Sequence, residues 1–154
     1  MTMILVCKTE RLIIRHFSLN DAEFILKLLN QPSFIENLSD KGIRRRSEAV
    51  DYLNSGPIAS YRGFGRELIN RDELDDIDIG HALLPNYCSK GYAIEACKAV
   101  ISRAENKIGL KRIAAITKSS NKASVNLLKK ILFKYKKGFL FMMEKIYIST
   151  LISN

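Results

Sequence analysis

One segment constrains this chain more than any other: "IDIGHALLPNYCSKGYAIEACKAVISRAENKIGLKRIAAIT", Ile77 to Thr117. Ile77–Pro85 alternates, then turns fully apolar, and reads as a strand ending at its proline. A short polar loop follows. From about Gly91 to Lys107, Ala93, Ala96, Cys97, Val100, Ile101 and Ala104 recur at helical spacing. Leu110–Thr117 is almost continuously apolar, as expected of a buried strand. Strand, helix and strand in that order form a βαβ unit. The right-handed crossover makes the two strands parallel and lays the helix on one face. The chain is therefore expected to be α/β.

The loop that enters the helix carries the chemistry. Backbone N–H groups without partners and the positive end of the helix dipole converge there, so anions bind there. Gly91 has no Cβ and lets the main chain approach a phosphate. Lys90 adds a positive charge. Neither G-x-x-x-x-G-K-[ST] nor G-x-G-x-x-G is present, which argues against a nucleoside triphosphatase loop and a dinucleotide fold. On these residues alone, an ordinary strand-to-helix turn stays open beside a phosphate cradle.

The flanks complete one domain over residues 1–154, with the loop and its strands in a half spanning about 77–148. "ERLIIRHF" (Glu10–Phe17) reads as a strand. Ser18 and Asp21 make a capping pair before a helix bearing Ala22, Phe24, Ile25, Leu28 and Leu29, with Pro32 just past its end. "PSFIENLSDKGIRRR" holds a short helical turn and a loop. Ser47 is the expected cap of a second helix, "SEAVDYLNSG", stopped by Gly56-Pro57. Ile58–Asp76 has no sustained period; short strands are placed near Tyr61–Phe64 and at Leu68-Ile69. "SSNKASVNLLKKILF" reads as a helix capped near Asn121. "FKYKKGFLFMMEKIYIST" reads as two strands meeting near Lys136–Gly138.

Charge is uneven. The net charge is +9, yet residues 1–89 hold 11 basic and 13 acidic residues against 14 and 3 in residues 90–154. The basic half points to an anionic partner or to a solvated lysine-rich face. No zinc finger, helix-turn-helix or RNA-binding aromatic motif accompanies the charge, so nucleic acid is not expected. The 3 cysteines, Cys7, Cys88 and Cys97, form no C-x-x-C pair. They read as reduced thiols of a cytoplasmic protein, with no metal site. No apolar run is long enough for a membrane span, and the short apolar start is not expected to be a leader.

Three blocks in order, "TERLIIRHFSLNDAEFILKLLN", "DIGHALLPNYCSKGYAIEA" and "NKASVNLLKKILF", resemble the GCN5-related N-acetyltransferases (GNAT), particularly the branch that acetylates ribosomal-protein N-termini. The resemblance runs from Thr9 to about Phe139. Its most specific part is the middle block. There Cys88-Ser89-Lys90-Gly91-Tyr92-Ala93 is similar to the family's acetyl-CoA motif: Gln or Arg, two residues, Gly, one residue, Gly or Ala.

The resemblance implies the acyl-CoA N-acyltransferase fold, a mixed β-sheet flanked by helices, with acetyl-CoA as cosubstrate and an amine as acceptor. It implies that backbone N–H groups of Ser89, Lys90, Gly91, Tyr92 and Ala93 hold the cofactor's diphosphate. The pantetheine arm then lies by Leu83, and a backbone N–H near Leu83 steadies the oxyanion. Asn121 bonds the arm, and Ser124 protonates the leaving thiolate. Each polar residue has a second reading. Asn121 and Ser124 can serve only as helix caps. Glu95 complements the helix dipole. Asp78 and His81 lie on opposite faces of their strand, and either is base or structure. Tyr135 and Tyr147 pack in strands. Arg44-Arg45-Arg46 binds phosphate or lines a solvated loop.

Three departures from the pattern stand out. Cys88 replaces the usual Gln or Arg. Leu132 replaces a glycine expected after the last helix, at a cost of roughly 1 kcal/mol if the turn is left-handed. The middle is short: relatives place a long hairpin between the second helix and the cofactor strand, at the heart of the sheet, and only Ile58–Asp76 is available here. A shortened central hairpin leaves the first strand to pair directly with Ile77–Leu84 or the N-terminal part to dock loosely. Marginal stability, a homodimer, or an inactive homologue that binds coenzyme A or a partner without turnover are the outcomes compatible with that loss.

Overall fold

Thr9 folds the chain back on itself near its start. Its N–H donates to the Leu12 carbonyl at 2.9 Å, and the Leu12 N–H donates to its hydroxyl at 3.0 Å. This turn joins β1 (Leu5–Lys8) to β2 (Ile13–Arg15) in an antiparallel ladder, Cys7 opposite Ile14 and Lys8 opposite Ile13. The computed structural model that shows this describes residues 3–64, 78–131, 133–141 and 144–152. The pairing differs from the expected one. Glu10–Phe17 contributes three strand residues rather than eight, and the partner of β2 is β1, a strand that the short apolar start concealed.

Helices follow. Ser18 opens a 3-10 turn, its N–H donating to Asp21 Oδ2 at 2.8 Å, and α1 (Ala22–Leu29) buries Ala22, Ile25, Leu28 and Leu29. The helical period of that stretch is realised except at Phe24, which is exposed rather than part of the buried face. α2 (Pro32–Asn37) begins on its proline, whose missing N–H costs nothing in a first turn. α3 (Arg46–Ser55) buries Ala49 and Leu53. Its N-cap is Arg45 rather than the expected Ser47, because the Glu48 carboxylate reaches back to the N–H groups of Arg44 at 2.7 Å and Arg45 at 3.0 Å.

The strand expected near Tyr61–Phe64 is instead helical, within α4 (Pro57–Phe64). Gly56 ends α3 and Pro57 starts the next helix, the usual asymmetry of the two residues. Ser60 supports the new turn by donating to the Pro57 carbonyl at 2.7 Å. Leu68, Ile69 and most of the short middle lie outside the described residues. Ala22, Ile25, Leu29, Ile43, Ala49 and Leu53 form one hydrophobic cluster.

The second half holds the larger sheet. α5 (Tyr92–Arg103) runs into a π-helical turn, Ala104–Ile108, which Gly109 ends at φ 78°. β3 (Arg112–Lys118), β4 (Lys134–Phe141) and β5 (Glu144–Ile152) make an antiparallel sheet in the order β3-β5-β4. α6 (Lys122–Lys130) crosses between β3 and β4. Lys136–Gly138 is not the junction of two strands. It lies inside β4, where the register shifts between Tyr135 and Lys137 and Gly138 pairs with Tyr147. A glycine beside a bulge gives the same local signal as a turn. Leu132 lies outside the described residues.

Ile77 lies outside the described residues, and of the parallel strand expected from there to Pro85 the described part, from Asp78 on, keeps a single bridge. Asp78 pairs with Ala114 in parallel, and the Ile79 N–H donates to the Ala114 carbonyl at 2.9 Å. Ile79, Cys97, Ile101, Ala104, Ile113, Ala115, Leu127, Leu128, Ile131 and Phe133 then pack α5 and α6 against β3 in a second cluster.

Candidate active site

The parallel bridge decides which end of the sheet carries the site. Asp78 and β3 run the same way, so the chain leaves both at one edge. From that edge it enters α5 through Pro85–Gly91 and α6 through Ser119–Asn121. Both helix N-termini, with their unpartnered first-turn N–H groups, therefore open on the same side. In an α/β sheet this is where ligands sit.

The first entrance is tightly curled. A 3-10 turn, Pro85–Tyr87, leads to Ser89 at φ 59° and Gly91 at φ 81° and ψ 0°, with Lys90 between them. Alternating hands of the backbone bring successive N–H groups together into an anion-binding concavity. Residues 85–91 are all exposed, so the turn faces solvent. Gly91 caps the helix, and its carbonyl accepts the first helical bond from the Glu95 N–H at 3.1 Å. Tyr92 and Ala93 occupy the first turn. Cys88 is held by its N–H on the Pro85 carbonyl at 3.1 Å and by its thiol on the Leu84 carbonyl at 3.7 Å, so the turn closes here without a Gln or Arg side chain.

Leu83 is half-buried just before this turn, and Gly80, His81 and Ala82 are exposed. Among the described residues, pairing with β3 stops at Ile79, so the backbone around Leu83 is clear of the sheet ladder. Asp78 is buried at 2% exposure and belongs to the bridge. Its surroundings favour a structural role over that of an exposed base.

At the second entrance, the Asn121 side chain caps α6 by accepting the Ser124 N–H at 3.1 Å. The cap thus uses the backbone of Ser124, not its hydroxyl. Cys97, by contrast, is a core thiol that burial pushes up to about 11, which keeps it protonated and inert.

A third element reaches this site, and sequence reasoning gave it no role. The turn between β1 and β2 docks on the start of α5. Thr9 Oγ1 donates to Glu95 Oε1, and the Arg11 N–H donates to the same oxygen at 3.0 Å. The Arg11 guanidinium pairs with Glu95 Oε2 at 2.6 Å. The Thr9 hydroxyl first, then Arg11, holds the Glu95 carboxyl below the usual range. Glu95 is therefore more than a complement to the helix dipole. The signal was present in "TERL", where a hydroxyl and a guanidinium flank a turn, but it depended on a partner 84 residues away. Arg44, Arg45 and Arg46 are absorbed in ion pairs with Asp40 at 2.5 Å, Glu48 at 2.8 Å and Glu23 at 3.1 Å. They form a network around α1 and α3.

No helix among the described residues is long and apolar enough to cross a membrane. No cluster of His, Cys, Asp and Glu among them could hold a metal ion.

The model of the acetyltransferase (GNAT) domain matches residues 11–134. The chain belongs to the GNAT acetyltransferase family. It is 27% identical over 139 residues to the uncharacterized N-acetyltransferase YnaD of Bacillus subtilis (strain 168), covering 80% of this chain and 79% of the relative. A GNAT-family acetyltransferase from Bacillus anthracis has the same fold, with a TM-score of 0.79 at 20% identity over 98% of each chain. So does RimL, a ribosomal-protein alpha-N acetyltransferase solved with coenzyme A, with a TM-score of 0.80 at 12% identity over 98% of each chain. This GNAT enzyme thus has the acyl-CoA N-acyltransferase fold, and its cosubstrate is acetyl-CoA.

Proposed function

We propose that this GNAT enzyme moves an acetyl group from acetyl-CoA to a primary amine, a protein N-terminus or a small-molecule amine, in the cytoplasm. The observation that carries the reading is the curled entrance to α5, with left-handed Ser89 and Gly91 opening toward solvent at the edge where α6 also begins. Backbone N–H groups of Ser89, Lys90, Gly91, Tyr92 and Ala93 would hold the diphosphate, and Cys88 shapes the turn before them. A neighbour solved with coenzyme A supports the same class of ligand.

Acetyl-CoA supplies an activated thioester. The chain's part is to place it and to manage charge. The Leu83 N–H, clear of the sheet, would steady the oxyanion as the neutral amine attacks the carbonyl. The Asn121 amide would bond the pantetheine arm while its Oδ1 caps α6. Ser124, half-buried in the first turn of α6, would give a proton to the departing thiolate.

Thiol release from acetyl-CoA, measured against a panel of N-terminal peptides and small amines, tests the reading. Release that depends on one acceptor class is the expected result. Coenzyme A binding with no release for any amine would leave a binding protein only.

A further inference from the structure

One side chain touches three residues of the entrance to α5 and stands beside a fourth. Arg11 Nε donates to Glu95 Oε2 at 2.7 Å, and its Nη2 lies 2.6 Å from the same oxygen. Its Nη1 donates to the Lys90 carbonyl at 3.0 Å. Its guanidinium carbon stands 4.8 Å from the centre of the Tyr92 ring. A Cβ on Gly91 would come within 3.2 Å of Nη2. Glu95 neutralises the guanidinium, so Arg11 is not arranged as a spare cation for phosphate.

The contact with Lys90 does something more specific. The carbonyl of one residue and the N–H of the next belong to one planar trans peptide and point opposite ways. A tether that draws the Lys90 carbonyl toward the hairpin therefore turns the Gly91 N–H away from it. Glycine enters left- and right-handed backbone with similar ease, so this peptide needs an external hold. A guanidinium can supply it, because its fork reaches a carboxylate and a carbonyl at once.

We propose that Arg11, anchored by Glu95, is a positioning residue that aims the Gly91 N–H into the diphosphate cradle. The hairpin turn thereby sets the affinity for the cofactor from outside the cofactor motif. This rests on the cradle reading above.

The test compares Arg11→Lys, Arg11→Gln and the wild type by calorimetry with coenzyme A, and by KM for acetyl-pantetheine, which lacks the diphosphate. Lysine keeps the charge near Glu95 but cannot also tether Lys90. Both variants are expected to bind coenzyme A about tenfold more weakly, the scale of one charge-assisted hydrogen bond. Their KM for acetyl-pantetheine is expected to stay within about twofold of the wild type. Arg45→Gln, which removes an exposed ion pair on α3, serves as the control and should bind coenzyme A normally. Unchanged coenzyme A affinity in Arg11→Lys overturns the positioning role while the cradle stands. An equal loss toward acetyl-pantetheine overturns it too, since the damage would then be general. A wild type that does not bind coenzyme A overturns the cradle and the positioning role together.

Discussion

Arg15 grips Asp21 with both ends of its guanidinium, Nη1 at 2.8 Å from Oδ2 and Nη2 at 2.6 Å from Oδ1. This fork joins the end of β2 to the turn that starts α1. The hydrogen bond from Arg15, helped by the Ser18 N–H, holds the Asp21 carboxyl at about 2 instead of 3.8. The folded pKa is depressed, so the stabilisation is present above the unfolded value and is lost as pH falls from near 3.8 toward about 2. Arg15 is partly exposed, and after discounting for solvent the pair contributes about 1 kcal/mol. Asp21→Asn is expected to lower the urea midpoint at pH 7, and the gap from the wild type should close near pH 2.

Gly91 and Gly109 both hold left-handed backbone, at φ 81° and 78°. Alanine at either position strains the main chain by roughly 1–2 kcal/mol. Only Gly91 has a neighbour that a Cβ would press, at 3.2 Å; Gly109 has nothing within 4 Å. Gly109→Ala should therefore lower the melting temperature and leave coenzyme A affinity intact. Gly91→Ala should do both kinds of damage, and paired thermal melts and calorimetry separate them.

Leu53 is fully buried at 0% exposure among Ala22, Ile25, Ile43 and Ala49. Leu53→Ala leaves a cavity and is expected to cost about 2–5 kcal/mol. Chemical denaturation should show it as a lower midpoint.

Asn121 and Ser124 can be told apart by what each lends to the helix. Asn121→Ala removes the cap and should cost about 1 kcal/mol of stability, together with a higher KM for acetyl-CoA. Ser124→Ala keeps the backbone N–H that the cap uses, so stability should hold. Loss of a proton donor should then appear in kcat alone, on the order of 10²-fold.

What could be read from the sequence followed the range of the forces involved. α1, α5, β3 and α6 announce themselves through apolar periodicity, a local signal, and the residues from Cys88 to Ala93 are contiguous, so the candidate cradle came with them. β1 was hidden because four residues carry too little period. α4 was hidden because Gly56-Pro57 both stops one helix and starts another. The bridge at Asp78 was overstated as a strand because an apolar run does not reveal where its partner turns away. Arg11 escaped notice because its meaning depends on Glu95, far along the chain.

The clusters around Leu53 and Ile113 share no residue. Ties between the two halves include polar ones: Arg11 to Glu95, and the Lys118 ammonium to the Glu36 carbonyl at 2.6 Å. Neither cluster lends the other a side chain, so core substitutions beneath α1 to α4 are expected to add independently to those around Ile113.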